Sequence, residues 1–258
     1  MQVMYNCFIN AVKPRVSALG SLAASVLPTH RFLLVTIILI ATLGLTRPVI
    51  AQVDLDNPGP WLESIRTTHD LPGLGAAVVT DHGLELLVTT GVRKKGDPTP
   101  FTDKDLWHLG SCGKAITATM IARLVEAGTL RFDQALGQTF PEYVDRMSEQ
   151  FAGITLAQLL SHSSGLPANI QLANYVGERN VVNARRRALL EALQTPLVTP
   201  PGEGYLYSNF GYILAGHMAE KVTRKRWESL VRTEVFQPLG MKSAGFGGIG
   251  SRGRVNQP

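Results

Sequence analysis

Residues 110–128, with the sequence GSCGKAITATMIARLVEAG, carry the signal on which the fold prediction is built. Apolar residues recur there every three or four positions, which predicts a helix over residues 111–127 with one buried face. Gly128 stands where a helix stop is expected. Ser111 and Lys114 open this helix as an S-x-x-K quartet. Their spacing of three positions places both side chains on one face, with the amine within reach of the hydroxyl.

Two strands are predicted before this helix and several helices after it. Residues 74–80 (LGAAVVT) and 84–90 (LELLVTT), with a short glycine-bearing loop between them, predict a hairpin. Helical periodicity then dominates, between turns rich in glycine and proline, over residues 155–162, 183–194, 210–222 and 226–236. This order predicts an α+β fold, with an antiparallel sheet flanked by helices and a helical subdomain. Because a lone hairpin is marginally stable in water, we expect that the C-terminal strands of the sheet are missing.

The composition predicts a globular protein, and the N-terminal segment predicts that it is exported. The 258 residues are 45% hydrophobic and 17% charged and include 2 cysteines, which excludes a disordered or disulfide-stapled chain. Residues 1–51 contain basic but no acidic residues, so the net charge of +5 resides mostly there, and nothing in the rest indicates a nucleic-acid partner. The uncharged run over residues 32–46 suits the apolar core of a signal peptide. We therefore expect residues 1–51 to be a signal peptide or membrane anchor, and the protein to be periplasmic or extracellular, with membrane association if the leader is retained.

Ser111 and Lys114 are candidates for nucleophilic chemistry. A serine hydroxyl is a weak nucleophile until a neighbouring base takes its proton, and the partial positive charge of a helix N-terminus favours an alkoxide. The alternative for this pair alone is a serine that caps the helix beside a solvated lysine. Tyr207 and Asn209 are a second candidate pair, since a tyrosine near an ammonium can act as a base and an asparagine can orient a substrate amide. The alternative there is a half-buried tyrosine, with Asn209 as the N-cap of the next helix.

Other reactive residue types are interpreted as structural. Cys112 points away from Ser111 on the predicted helix and is expected to be a small buried thiol. His108 is expected to have a structural role before the helix. Residues 185–187, three consecutive arginines, are expected on the solvated face of their helix, and residues 159–167 are typical of a helix that ends in an ordinary turn. The histidines show no paired ligand spacing, which argues against zinc, and the spacing of the G-x-S-x-G elbow is not matched.

Taken in order, these segments resemble the serine β-lactamase-related family, which includes class C β-lactamases, D-alanyl-D-alanine carboxypeptidases and related esterases. The matching pieces are GSCGK at 110–114, LRFDQ at 130–134, LLSHSSGLP at 159–167, GYLYSNFGY at 204–212 and FQPLGM at 236–241. By this resemblance, residues 52–246 form a serine hydrolase domain that is incomplete, and residues 247–258 form a tail that contains glycine and arginine.

The resemblance implies a role for each matched site residue. Ser111 would be the acylated nucleophile, Lys114 its proton partner, Tyr207 a second general base or acid, and Asn209 an amide that orients the substrate. The backbone N–H of Ser111 would be one oxyanion donor. The implied reaction is hydrolysis of an ester or amide, such as a β-lactam or a D-alanyl peptide, through a covalent acyl-enzyme. Its partner is a small-molecule or peptide substrate, and no metal or organic cofactor is implied.

One motif of the family is not found. Family members carry K-T-G or H-x-G on an inner strand many tens of residues after the tyrosine, and this sequence has neither after Tyr207. Residues 242–245, KSAG, have one residue too many and come too soon. Since that strand supplies the second oxyanion N–H and completes the sheet, we expect a C-terminally truncated chain whose activity is in question. The alternative to an active hydrolase is a catalytically inactive fragment or a penicillin-binding-like scaffold.

Overall fold

The computed structural model describes residues 54, 56–169, 171–175 and 180–247. They belong to two compact units, one with the described residues up to Asp105 and one with those from Leu106 to Gly247. The expected signal peptide or membrane anchor over residues 1–51 lies outside the described residues, as does the tail after Gly247. Within the described ranges, no helix has the length and apolar character that crossing a membrane requires.

The described part of the N-terminal unit contains one helix and one hairpin. Helix α1 (Gly59–Thr68) is followed by strands β1 (Gly73–Thr80) and β2 (Gly83–Gly91), which pair antiparallel along their length. A register shift next to Val78 introduces a β-bulge near the turn. The predicted hairpin is confirmed, because runs of β-branched residues on either side of a glycine-bearing turn specify it locally.

The C-terminal unit is helical. A 3₁₀ turn (Gly110–Cys112) leads directly into helix α2 (Gly113–Glu126). The helices that follow are α3 (Leu136–Thr139), α4 (Glu149–Ala152), α5 (Leu156–Leu160), α6 (Val181–Ala192), α7 (Asn209–Thr223) and α8 (Trp227–Val231), which continues as a π turn (Arg232–Phe236). Further 3₁₀ turns lie at Pro141–Arg146 and Leu172–Tyr175. Each helix predicted from periodicity is found, with its ends within about two residues of the prediction.

Helix α7 is the element around which this unit packs, since it contacts α2, α3, α5, α6 and α8. Where α7 crosses α5, a Cβ on Gly211 would lie 3.0 Å from the carbonyl oxygen of Leu159, so glycine permits the close approach. The core between the helices is formed by buried apolar side chains, among them Met120, Ile121, Leu124, Leu156, Leu189, Phe210, Leu214, Met218 and Val231. Burial of such side chains holds the ends of α2, α5 and α7 in fixed positions.

The arginine run does not lie wholly on a solvated face. Arg185 pairs with Glu220 at 2.7 Å and with Glu228 at 2.6 Å, and its side chain is 17% exposed. Arg186 and Arg187 are exposed, as expected. The prediction is wrong for Arg185 because helical periodicity identifies the apolar face of α6 but not the carboxylates of α7 and α8 that a position beside that face can reach.

The described residues thus form an α+β fold, as predicted: a two-stranded antiparallel sheet with one helix in the first unit, and a bundle of helices in the second. Within these ranges the sheet consists of β1 and β2. All the residues singled out above for chemistry lie in the helical unit.

Candidate active site

Ser111 lies in the 3₁₀ turn that precedes α2. Gly110 adopts φ +60°, which lets the chain turn sharply into the helix. The α-helix itself begins at Gly113, later than predicted, because the first turn tightens into 3₁₀ geometry. Ser111 is exposed and lies at the positive end of the α2 dipole, where negative charge on its oxygen is favoured.

Two side chains converge on the Ser111 hydroxyl. Lys114 Nζ lies 3.0 Å from Ser111 Oγ, and Tyr207 Oη lies 2.7 Å from the same oxygen. Lys114 is one helical turn from Ser111, whereas Tyr207 lies in the segment before α7, 96 positions further along the chain. The structure thus joins three of the residues chosen from the sequence in one hydrogen-bonded group.

Asn209 extends this group. Lys114 Nζ donates to Asn209 Oδ1 at 2.6 Å, and Asn209 Nδ2 donates to Asn169 Oδ1 at 2.8 Å. The N-cap of α7 is Ser208, whose Oγ accepts the Gly211 N–H at 3.0 Å. The capping alternative is therefore wrong for Asn209, and its side-chain amide instead fixes the position of the lysine.

His162 also belongs to the site, although its segment is typical of an ordinary turn in sequence. Its Nδ1 accepts the Ser208 N–H at 3.0 Å, and its ring centroid lies 4.5 Å from that of Tyr207. Asn169 is the second site residue that the sequence does not identify. The sequence signal for His162 is the family pattern over residues 159–167, and Asn169 lies outside that pattern. Single turn positions such as these have no periodicity, and their partners are distant in the chain.

The turn after α5 helps to position the tyrosine segment. Gly165 adopts φ +74°, and a Cβ there would lie 2.0 Å from the carbonyl oxygen of Thr199, so only glycine fits. Ser208 Oγ donates to the carbonyl oxygen of Pro167 at 2.8 Å. The hydrogen bond to Pro167 ties the residue after Tyr207 to the turn that follows α5.

The charge of Lys114 acts on the tyrosines around it. Its Nζ lies 4.8 Å from the ring centroid of Tyr207 and 5.6 Å from that of Tyr212. Burial tends to raise the pKa of the Tyr207 phenol, but the interactions with Lys114 and Ser111 outweigh burial and leave that pKa below its ordinary value. The pKa of Tyr212 is raised instead, first by burial and then by neighbouring tyrosines. Tyr207 is therefore the phenol that ionises more readily.

Two further predictions concern residues beside the site. Cys112 is exposed, so the prediction of a buried thiol is wrong. The cause is that Cys112 lies in the 3₁₀ turn, outside the α-helix whose periodicity the prediction used. His108 is exposed as well. In the part of the chain that the structure describes, no group of three or more histidine, cysteine or acidic side chains could hold a metal ion.

The arrangement provides the proton path of a nucleophilic acyl-transfer site. An ammonium group only donates hydrogen bonds, so Lys114 donates to Ser111 Oγ, and either hydroxyl can donate across the 2.7 Å between Ser111 Oγ and Tyr207 Oη. When Tyr207 is a phenolate, the donor is Ser111, whose hydroxyl proton then points to Tyr207 Oη. A phenolate at Tyr207 can accept that proton as the serine oxygen attacks. Ser111, Lys114 and Tyr207 thus provide the groups that this proton transfer requires.

Several known proteins are similar to this chain in sequence and in fold. The sequence model of the Beta-lactamase family matches residues 60–251. Penicillin-binding protein 4 of Amycolatopsis lactamdurans is 30% identical over 179 residues, which cover 69% of this chain and 46% of that protein.

Two solved structures are similar as well. The octameric penicillin-binding protein homologue from Pyrococcus abyssi is 27% identical with a TM-score of 0.58, covering 71% of this chain and 43% of that one. D-amino acid amidase from Ochrobactrum anthropi SV3, complexed with L-phenylalanine amide, is 26% identical with a TM-score of 0.61, covering 73% of this chain and 51% of that one. The chain thus spans about half the length of these relatives, or somewhat less.

Proposed function

This chain belongs to the Beta-lactamase family, and on that premise we propose that it is an exported serine hydrolase that cleaves an ester or amide through a covalent acyl-enzyme on Ser111. Family membership confirms the resemblance drawn from the sequence, and the solved relatives confirm the β-lactamase/transpeptidase-like fold. One observation carries the proposal: the Ser111 hydroxyl lies between Lys114 Nζ and Tyr207 Oη, within hydrogen-bond distance of each.

In the acylation step, the Tyr207 phenolate takes the proton of Ser111 as Ser111 Oγ bonds to the substrate carbonyl carbon. The tetrahedral intermediate then breaks the bond from that carbon to the leaving nitrogen or oxygen, which receives the proton from Tyr207. Lys114 remains an ammonium throughout, and its charge stabilises the phenolate. Asn209 holds the ammonium through the 2.6 Å hydrogen bond.

In the deacylation step, water repeats this sequence in reverse. Tyr207 takes one proton from the water as the water oxygen bonds to the ester carbon of the acyl-enzyme. The bond from that carbon to Ser111 Oγ then breaks, and Ser111 Oγ recovers the proton from Tyr207. The backbone N–H of Ser111, at the positive end of α2, is the proposed donor to the developing oxyanion in both steps.

The proposed substrate class is a small amide, peptide or ester, with β-lactams and D-amino acid amides as the first compounds to test. Two relatives support this choice by name, one a penicillin-binding protein and one a D-amino acid amidase. In both kinds of compound a carbonyl carbon carries a leaving nitrogen, which is what the serine, phenol and ammonium can act on.

The test is intact-mass spectrometry of the full chain after incubation with a fluorescent penicillin and, separately, with a fluorophosphonate. We expect one adduct per chain on the wild type and none on Ser111→Ala. Cys112→Ser is the matched control, because the exposed thiol next to Ser111 is the other nucleophile that an electrophile could reach. An equal adduct on Ser111→Ala would refute Ser111 as the nucleophile.

The time course separates the two family activities. Loss of the penicillin adduct with release of hydrolysed product supports a hydrolase, whereas an adduct that persists supports a penicillin-binding scaffold. A chain that melts cooperatively but forms no adduct with either probe is the inactive fragment, and that result overturns the proposal.

Export is proposed from the apolar run over residues 32–46. Peptide sequencing of the protein recovered from each cell fraction tests it. A chain that begins near residue 52 outside the cytoplasm supports a cleaved signal peptide, and a longer chain in the membrane fraction supports an anchor. Full-length chain confined to the cytoplasm contradicts export.

A further inference from the structure

His162 contacts the Tyr207 segment at three points. Its backbone carbonyl accepts the Leu206 N–H at 2.7 Å, and its Nδ1 accepts the Ser208 N–H at 3.0 Å. Its ring packs against the Tyr207 ring, with centroids 4.5 Å apart and planes inclined by 32°. One residue therefore binds the backbone on both sides of Tyr207 and also the phenol ring itself.

The backbone of His162 is itself in an unusual conformation. It adopts φ +60°, in the left-handed region, directly after the end of α5. Apart from glycine, this region is tolerated mainly by asparagine, aspartate and histidine. Tyr212 lies against the His162 ring at 5.2 Å, and its Oη donates to the carbonyl oxygen of Leu160 at 2.9 Å. Packing thus holds a conformation that aims both acceptors of His162 at the tyrosine segment.

The hydrogen bond at Nδ1 defines the protonation state of this ring. Because Nδ1 accepts a backbone N–H, the imidazole is neutral and its proton is on Nε2. Protonating Nδ1 would set two donors against each other and break that bond. The groups that face the ring are Lys114 from α2, Tyr212 from α7, and Tyr205 and Tyr207 from the segment before α7. Burial, and then the charge of Lys114, lower the pKa of His162 below its ordinary value, which favours the neutral ring at neutral pH.

We propose that neutral His162 is the positioning residue for Tyr207, and that protonation of His162 releases the tyrosine segment and switches acylation off in acid. The proposal rests on the proposed function, since His162 acts on Ser111 only through Tyr207. It adds a residue and a pH response to the site. Loss of the Ser208 N–H acceptor frees the backbone next to Tyr207, and the new positive charge repels Lys114, which holds the same phenol.

Two variants separate the acceptor from the backbone conformation. His162→Asn and His162→Gly both tolerate a left-handed φ, so both can fold, but only asparagine keeps a side-chain acceptor for the Ser208 N–H. Asparagine also does not titrate. We expect His162→Gly to lower the acylation rate constant about 10- to 100-fold at neutral pH, because a displaced catalytic group loses its alignment. His162→Asn should stay within about 5-fold of the wild type, since its hydrogen bond preserves that alignment.

The pH profile provides the test that a merely structural residue would not pass. Loss of the Tyr207 phenolate lowers the acylation rate in acid in every variant that keeps this tyrosine. In the wild type, an additional and steeper fall should follow the titration of His162 observed by NMR of its imidazole nitrogens in the full chain. This additional fall should disappear in His162→Asn and remain in His82→Asn, a control whose side chain is 83% exposed in the hairpin turn. If the additional fall persists in His162→Asn, or if His162→Gly is acylated at the wild-type rate, the proposal is overturned.

Two measurements need no activity, so failure of the proposed function can be told from failure of this inference. NMR at neutral pH should show an unprotonated Nδ1 on His162. A UV-difference titration against Tyr207→Phe should show the Tyr207 phenol ionising at higher pH in His162→Gly than in the wild type, because the released phenol moves away from Lys114. A protonated Nδ1, or an unchanged phenol titration, refutes the positioning role of His162 even if the wild type is readily acylated.

Discussion

Replacing Tyr207 by phenylalanine removes one oxygen from the centre of the proposed mechanism. Ser111 Oγ loses its 2.7 Å partner and keeps only Lys114 at 3.0 Å, which as an ammonium cannot accept the serine proton. The phenylalanine ring can keep the contact with His162, whose centroid lies 4.5 Å away. The change therefore isolates the proton acceptor from the packing around it.

The size of the effect follows from this loss. A positioned general base contributes about 10²- to 10⁴-fold to a rate, which is about 3 to 5 kcal/mol in the activation free energy. Stability should change little, because Tyr207 is 37% exposed and one net hydrogen bond contributes about 1 kcal/mol or less at such a site. We expect slow acylation in a chain that melts nearly as the wild type does.

The assay is the acylation rate constant of the full chain with a fluorescent penicillin, from intact mass at timed quench points, as a function of pH. The wild-type rate should rise with pH as Tyr207 ionises, and should level off below the ordinary tyrosine pKa of 10.0, because the site lowers that pKa. Tyr207→Phe should lack this rise. Tyr143→Phe, a tyrosine away from the site, is the control. Acylation of Tyr207→Phe within about 5-fold of the wild type, with the same pH profile, would refute Tyr207 as the base.

Three further outcomes can be checked. Asn209→Leu removes the acceptor that holds Lys114 and should slow acylation about 10- to 100-fold in the same assay; an unchanged rate contradicts the holding role. Gly165→Ala should lower the free energy of unfolding by about 3 kcal/mol or more in urea, because of its φ of +74° and the 2.0 Å approach to Thr199. Gly204→Ala, where a Cβ would meet nothing within 4 Å, should change it by about 0.5 kcal/mol or less. Arg185→Met should lower the free energy of unfolding by about 3 to 5 kcal/mol at neutral pH, because it removes the guanidinium that Glu220 and Glu228 share, against a small effect for exposed Arg186→Met. Burial acts to raise the pKa of Glu220, but its polar partners outweigh burial and lower that pKa. The stability that ionised Glu220 contributes is therefore complete above its ordinary pKa of 4.5, and it is lost as the pH falls through the lowered pKa of the folded state. The loss of unfolding free energy caused by Arg185→Met should therefore be smaller in acid. A loss that does not depend on pH counts against the ion pairs of Arg185 with Glu220 and Glu228.

Local elements could be predicted well from the sequence because their causes are local. The three- and four-residue spacing in residues 111–127 predicts α2, and the β-branched runs around a glycine turn predict the hairpin. The pairing of Ser111 with Lys114 is of the same kind, since one helical turn brings the two together in any fold. The helix ends differ slightly from prediction because caps and 3₁₀ turns, such as the one that holds Ser111, depend on single residues.

Exposure was harder to predict than helix positions. Cys112 is exposed and Arg185 is partly buried, each against expectation. Periodicity shows which face of a helix is apolar, but it does not show which neighbouring element covers a position next to that face. A charged residue is buried only where another element offers it a partner, and for Arg185 those partners are on α7 and α8.

The sequence by itself therefore determined the elements, the family, and the serine–lysine pair on one helix turn. Only the tertiary structure decided that Tyr207, 96 positions away, meets the serine, that Asn209 holds the lysine, and that His162 holds the tyrosine segment. The physical reason is that residues distant in the chain meet only when helices pack, and that packing depends on the complementary surfaces of α2, α5 and α7 together. No local pattern in any one of these helices contains that information.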